Sequence, residues 1–151
     1  MALYHFHVEQ IKRSEGRTAV ASAAYRAGEK LHNLWDGEMH DYTRKGGVIL
    51  TEIFLPEHAP KRLSDRYTIW NEVEQVEKRA DAQLAYSFDI ALQNEFSLDE
   101  NIALVREYVQ EYFVSDGMIV DLAVHQPDRE EGGIQNPHFH VLVPIIIVHS
   151  V

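Results

Sequence analysis

Apolar and polar residues alternate with period two in several stretches of the chain and recur with helical spacing in others. Leu3 to Val8 sets Tyr4, Phe6 and Val8 against His5, His7 and Glu9, the alternation of a strand. Thr18 to Leu31 is rich in alanine, follows the Gly16 break and carries Thr18 as a helix N-cap. Trp35 to Leu55 places Asp36-Gly37 and Gly46-Gly47 among β-branched and aromatic residues and predicts extended segments or a hairpin. Ser64 opens a second predicted helix to about Ala80, with Tyr67, Ile69, Trp70, Val73 and Val76 as its apolar stripe. Ala82 to Leu92 alternates again as a strand. Ser97-Leu98-Asp99-Glu100 is a capping box for a helix to about Val114, closed near Gly117. Met118 to His125 and His138 to Val143 are strands joined by a polar Pro/Gly loop.

The element order β-α-(β-β)-α-β-α-β-β predicts an α+β fold: an antiparallel-rich sheet of about five strands with helices packed on one face. The better strands each pair one apolar side with one polar side. Aligning the apolar sides gathers His5, His7, Glu9, Gln83, Ser87, Asp89, Asp121, His125, His138 and His140 on the opposite face. That polar, histidine-bearing face is the predicted site.

Composition narrows the chemistry. The 151 residues include no cysteine, which excludes a disulfide frame, a thiolate metal site and a cysteine nucleophile. The start lacks a basic region followed by an apolar run, and no apolar stretch is long enough to span a bilayer. The expectation is therefore a cytoplasmic chain without membrane insertion. The formal charge of −10 speaks against broad coating of nucleic acid. It is unevenly spread, however. Residues 1–47 hold seven basic side chains (Lys12, Arg13, Arg17, Arg26, Lys30, Arg44, Lys45) against six acidic ones, and the remainder is strongly acidic. An anionic ligand belongs near the N-terminal third.

His138-Phe139-His140 places two imidazoles on one face of a strand, and His125 ends the strand before it. Three convergent imidazoles leave positions open for a substrate oxygen on a shared metal ion. Their ligand preference suits Zn2+ or Ni2+. The second H-x-H, His5-Phe6-His7, has no third ligand beside it and is read as lining or a solvated face. Tyr25 sits among Ala21, Ala23, Ala24 and Ala27 with basic residues around it. It is either a packing anchor or a nucleophile for phosphorus.

Taken together, the segments MALYHFHVEQ, GRTAVASAAYRAGEKL, HDYTRKGGVILTEIFLP, WNEVEQVEKRADAQLA and GMIVDLAVHQPDREEGGIQNPHFHVLVP resemble the relaxase domain of the MobA/MobL family of plasmid mobilisation proteins, within the HUH endonucleases. The resemblance covers about residues 1–144. It implies that Tyr25 attacks a phosphate of single-stranded or locally melted DNA at a plasmid transfer origin, giving a 5′-phosphotyrosine. It implies that His125, His138 and His140 hold a divalent ion, Mg2+ or Mn2+ on the family pattern. Accessory mobilisation proteins and type IV secretion coupling proteins are the implied partners. Lys12, Arg13, Arg17, Arg26, Lys30, Arg44 and Lys45 are the expected DNA contacts. His5, His7, Ser87 and Asp121 are expected to line the site.

Two departures from the family pattern stand out. Ser87 stands where the family commonly carries a glutamate, and Asp89, two residues on along the same strand face, is the expected catalytic substitute. After Pro144 the sequence IIIVHSV no longer follows the pattern, so residues 1–151 are expected to be one nicking domain cut short relative to a longer parent. The other readings are a rolling-circle replication initiator of the same superfamily, a DNA-binding remnant without cleavage, and a hydrolytic metalloenzyme for a small substrate that would dispense with Tyr25.

Overall fold

The computed structural model describes residues 6–126 and 136–145. His5, most of the loop after Gln126 and the final residues lie outside that range. The strands are β1 (Phe6–Lys12), β2 (Lys30–His32), β3 (Met39–Asp41), β4 (Val48–Phe54), β5 (Gln83–Ala91), β6 (Val120–His125) and β7 (His138–Pro144). The helices are α1 (Ala19–Ala27), α2 (Arg66–Val76) and α3 (Leu98–Tyr112). Five strands form one antiparallel sheet in the order β1-β5-β7-β6-β4, and β2 and β3 pair separately as a hairpin.

The elements end where local chemistry ends them. In α1, Thr18 Oγ1 accepts the Ala21 amide at 3.0 Å, satisfying one of the free donors of a helix start. The helix stops at Ala27, short of the predicted Leu31, because Gly28 turns left-handed at φ 66° and releases the chain into β2. For α2 the cap is Asp65, not Ser64: its carboxylate accepts the Thr68 amide at 3.1 Å, while Ser64 closes a preceding 3-10 turn. The helix ends at Val76 rather than Ala80. The capping box of α3 forms as read, with Ser97 and Glu100 each accepting the other's amide at 3.1 Å.

Helices cover both faces of the sheet, which corrects the expectation of one. α1 and α2 pack with Ile11, Leu84, Ala85 and Leu142. On the other side α3 packs with Val120, Leu122, Val124, Phe139, Val141 and Val143. The polar side of β6 therefore lies under a helix layer, and all six β6 residues are buried. Asp121 makes this burial tolerable. Its carboxylate accepts from Arg66 Nε and Nη2 at 2.8 Å and from Trp70 Nε1 at 2.8 Å, so the buried charge is paired and hydrogen-bonded.

At the sheet edge, β1 runs on to Lys12 instead of stopping at Val8. Its fully buried anchor is Ile11, whereas Phe6 and Val8 stay largely exposed. Among the described residues no helix is long and apolar enough to cross a membrane.

Candidate functional site

Antiparallel register gathers the predicted side chains along one row of the sheet. His7 stands opposite Asp89, Asp89 opposite His140 and His140 opposite Ala123. One step along, His125 faces His138. Because both H-x-H residues project to the same face, His125, His138 and His140 converge. Their available ligand atoms all lie within 4.8 Å of one another.

Each ring is oriented by an acceptor on its outer nitrogen. His125 Nε2 donates to the Arg26 carbonyl at 2.7 Å. His138 Nδ1 donates to the Asn136 carbonyl at 2.9 Å, and His140 Nδ1 donates to the Asp89 carboxylate. The inward atoms are therefore His125 Nδ1, His138 Nε2 and His140 Nε2, each of which carries a lone pair in the neutral ring. Outer partners of this kind are what fix a metal-ligating imidazole. His125 Nδ1 and His140 Nε2 face each other at 3.2 Å. A cation between them would satisfy both lone pairs, since two nitrogens sharing one ion at ~2.1 Å sit about 3.0–3.4 Å apart. The donor set fits a divalent ion.

Electrostatics favour neutral ligands. Burial pushes His125 down to about 4, outweighing the hydrogen bond to the Arg26 carbonyl that favours the charged ring. His138 is lowered for the same first reason. Burial alone would raise the Asp89 carboxyl, but the hydrogen bond from His140 and the charge of Arg26 outweigh it and hold the carboxyl below its ordinary value.

Tyr25 reaches the site because α1 is tied to β6 by the Arg26 carbonyl, one residue beyond it. The Tyr25 ring is half exposed and meets Tyr42 edge-on at 5.2 Å between centroids. Gly47 adopts φ 82°, turning the segment after Tyr42 so that Lys45 comes back under α1. Lys45 Nζ donates to the Tyr25 carbonyl at 2.8 Å and lies 3.7 Å from the centroid of its ring. Burial, then the charge of Arg26, lowers Lys45 to about 8. Tyr25, Lys45, Gly46, Gly47 and the three histidines enclose a cavity of about 270 Å3.

The remaining predicted residues fall into different surroundings. Ser87 is fully buried and accepts from Arg26 Nη2 at 2.6 Å. Asp121 is two positions down β6 from Ala123, its oxygens engaged by Arg66 and Trp70. His7 stands 3.6 Å from the Glu9 carboxylate. Of the basic residues, Arg13 is bound to Glu74 and to the carbonyls of Glu74, Glu77 and Arg79, and stacks on Trp35. Arg17 pairs with Glu9 at 2.9 Å, and the Arg26 side chain donates to Ser22 and Ser87 within the fold. The side chains of Lys12, Lys30 and Arg44 make no hydrogen bond or ion pair among the described residues.

Two participants escaped the sequence reading: the main-chain carbonyls of Arg26 and Asn136. Carbonyls leave no mark on a residue pattern. Asn136 has one indirect sign, its place before Pro137, where backbone is held extended.

The model of the MobA/MobL family matches residues 17–149. The chain is 41% identical over 155 aligned positions to a conjugal transfer protein TraA of Rhizobium radiobacter, covering 96% of this chain and 14% of that protein. It is 40% identical over 134 positions to a mobilization protein MobL of Acidithiobacillus ferridurans, covering 86% of this chain and 35% of that protein. A solved structure described as the molecular basis of vancomycin resistance transfer in Staphylococcus aureus aligns with a TM-score of 0.88 at 33% identity, over 99% of this chain and 73% of its own. The chain thus spans well under half the length of these curated relatives.

Proposed function

The chain belongs to the MobA/MobL family, and from that premise we propose that it nicks single-stranded or locally melted DNA at a plasmid transfer origin, with Tyr25 as the nucleophile. The observation that carries the reading is the shared cavity. A half-exposed tyrosine, a lysine and three imidazoles with their ligand atoms turned inward meet in one small space open to a phosphate.

In this reading the Tyr25 oxygen attacks phosphorus and the bond to the 3′ oxygen breaks. The products are a 5′-phosphotyrosine and a free 3′-OH, which takes up a proton. One phosphodiester replaces another, so a later 3′-OH reverses the step without a separate energy source. The phenolic proton passes to solvent, which reaches the exposed ring edge. The Lys45 ammonium stabilises the negative charge left on the phenol through the ring face. His125, His138 and His140 would hold the divalent ion, Mg2+ or Mn2+ on the family pattern and Zn2+ or Ni2+ by ligand preference. That ion would supply charge neutralisation at the non-bridging phosphate oxygens. Asp89 is a positioning residue: it keeps the proton on His140 Nδ1 and so leaves Nε2 turned inward.

Strand binding falls to Lys12, Lys30, Arg44 and Lys45, with Arg17 contributing the N–H groups that Glu9 leaves open. Accessory mobilisation proteins and a type IV secretion coupling protein would deliver the covalent complex. Incubating the protein and Mn2+ or Mg2+ with transfer-origin single strands tests the reading. A covalent adduct on denaturing gels that disappears in Tyr25→Phe supports it. DNA binding without adduct marks a non-cleaving remnant, and cleavage that survives Tyr25→Phe overturns the tyrosine mechanism.

A further inference from the structure

A second groove, of about 460 Å3, opens on the other side of Tyr25, within the ~300–1,000 Å3 range of small-ligand pockets. Its floor is α1 and its far wall is the β2–β3 hairpin. Arg17, Tyr25, Arg26, Asp36, Glu38 and Tyr42 line it, with His40 beside them. Tyr25 is the one residue common to this groove and the histidine cavity. A strand whose phosphate meets Tyr25 therefore has its next nucleotide at the mouth of the groove.

The charges of the lining say which part of a nucleotide enters. The carboxylates of Asp36 and Glu38 offset Arg17 and Arg26, and the Arg26 guanidinium is already turned to Ser22 and Ser87, so no surplus positive charge is left to hold a phosphate. A base would meet polar groups of both kinds beside an aromatic wall made by Tyr25 and Tyr42, whose rings stand perpendicular. Asp36 is held in place, its Oδ1 accepting the Glu38 amide at 2.8 Å. The Glu38 carboxylate makes no hydrogen bond or ion pair among the described residues. Among the described residues Arg17 donates to Glu9 through Nη2 alone, leaving further N–H groups unspent.

Among the four bases, guanine alone offers two adjacent donors, its ring N1–H and its 2-amino group, to one carboxylate. Its O6 and N7 are the acceptors an arginine reads best. Adenine and cytosine place an acceptor beside their amino group, and thymine flanks its single N–H with two carbonyls. We propose that the groove between α1 and the β2–β3 hairpin is a nucleobase pocket selecting a guanine next to the phosphate that Tyr25 attacks. The proposal rests on reading Tyr25 as the nucleophile of a single strand.

The test is fluorescence anisotropy with a labelled dT12 strand and with versions carrying one central dG, dA, dC or deoxyinosine, without metal. The dG strand is expected to bind on the order of tenfold tighter than the others, with inosine, which lacks the 2-amino group, losing most of that gain. The double variant Asp36→Asn/Glu38→Gln, both positions being exposed, should abolish the dG-to-inosine ratio. Taking the ratio cancels the general gain in DNA affinity that losing two charges brings. Absence of a guanine preference in the wild type, absence of binding to any strand, or a preference unchanged in the double variant overturns the pocket. Failure of the pocket alone leaves dT12 binding and the Tyr25 adduct intact. Failure of the nicking reading would instead leave a guanine preference with no adduct.

Discussion

The Lys45 ammonium sits over the face of the Tyr25 ring, 3.7 Å from its centroid, and is anchored to the same residue's carbonyl at 2.8 Å. One contact fixes the main chain at the end of α1, and the other lowers the energy of negative charge on the phenol. Cation–π contacts contribute roughly 0.5–2 kcal/mol, so Lys45→Met should slow adduct formation about 2- to 30-fold at pH 7, and Lys45→Arg should recover part of the loss. Because Lys45 is lowered to about 8, its ammonium is lost as pH rises through that value. The advantage of wild type over Lys45→Met should therefore shrink above pH 8, while Lys45→Arg keeps its own. Single-turnover adduct formation against pH checks this, and a wild-type advantage that is flat from pH 7 to 9.5 would contradict it.

Asp89 and His140 make a separable prediction. In Asp89→Asn an amide oxygen still accepts from His140 Nδ1, so ring orientation persists while the negative charge is lost. Loss of such an outer partner typically costs 10- to 100-fold in metal affinity. Calorimetric titration with Mn2+ and Zn2+ should show that drop for Asp89→Asn and near-complete loss for His140→Ala. Equal affinity in wild type and Asp89→Asn would remove Asp89 from the site.

Much of this arrangement was readable before any coordinates. Alternation alone put His125, His138, His140 and Asp89 on one sheet face, because period two survives whatever packs above it. What alternation does not reveal is what covers each face. The polar side was expected to be open, yet Asp121 is neutralised by Arg66 and Trp70 from a helix more than fifty residues away, and α2 closes over it. Likewise the count of basic residues near the N-terminus gave no hint that Arg13 and Arg26 would be spent inside the fold. Ion pairing is a long-range property, and spacing along the chain encodes only the short-range part. Gly28 carried a local signal for the end of α1 that the run of helix-forming residues around it obscured.

Asp121 distinguishes fold from site. Its carboxylate neutralises the buried Arg66 and accepts from Trp70 Nε1, so Asp121→Asn leaves that guanidinium with the half-exposed Glu29 as its one remaining anionic partner among the described residues. Breaking a buried pair outright costs about 3–5 kcal/mol, and the Glu29 contact should hold the loss at or below the lower end of that range. Urea unfolding should register that loss, whereas metal affinity measured on the remaining folded protein should match wild type. A stable Asp121→Asn protein with weakened metal binding would instead return Asp121 to the active-site lining.

Acid sensitivity follows from the buried histidine. His125 titrates near 4 in the folded protein against an ordinary value of ~6.5 in the unfolded chain. Between those values the unfolded state binds a proton that the folded state refuses, so stability falls as pH drops from about 6.5 toward 4. His138, also lowered, acts in the same direction. Asp89 is lowered too, but a carboxylate loses its contribution only below its own ordinary range, at more acid pH. From pH 7.5 to 5.0 the His125 share is about 2 kcal/mol, or roughly 4–8 °C in Tm for a domain of this size. Melts in chelator should show that decrease. His125→Gln retains a donor near Nε2 for the Arg26 carbonyl and has no proton to gain, so its Tm should fall much less over the same interval. An equal fall in both proteins would assign the acid sensitivity to other groups.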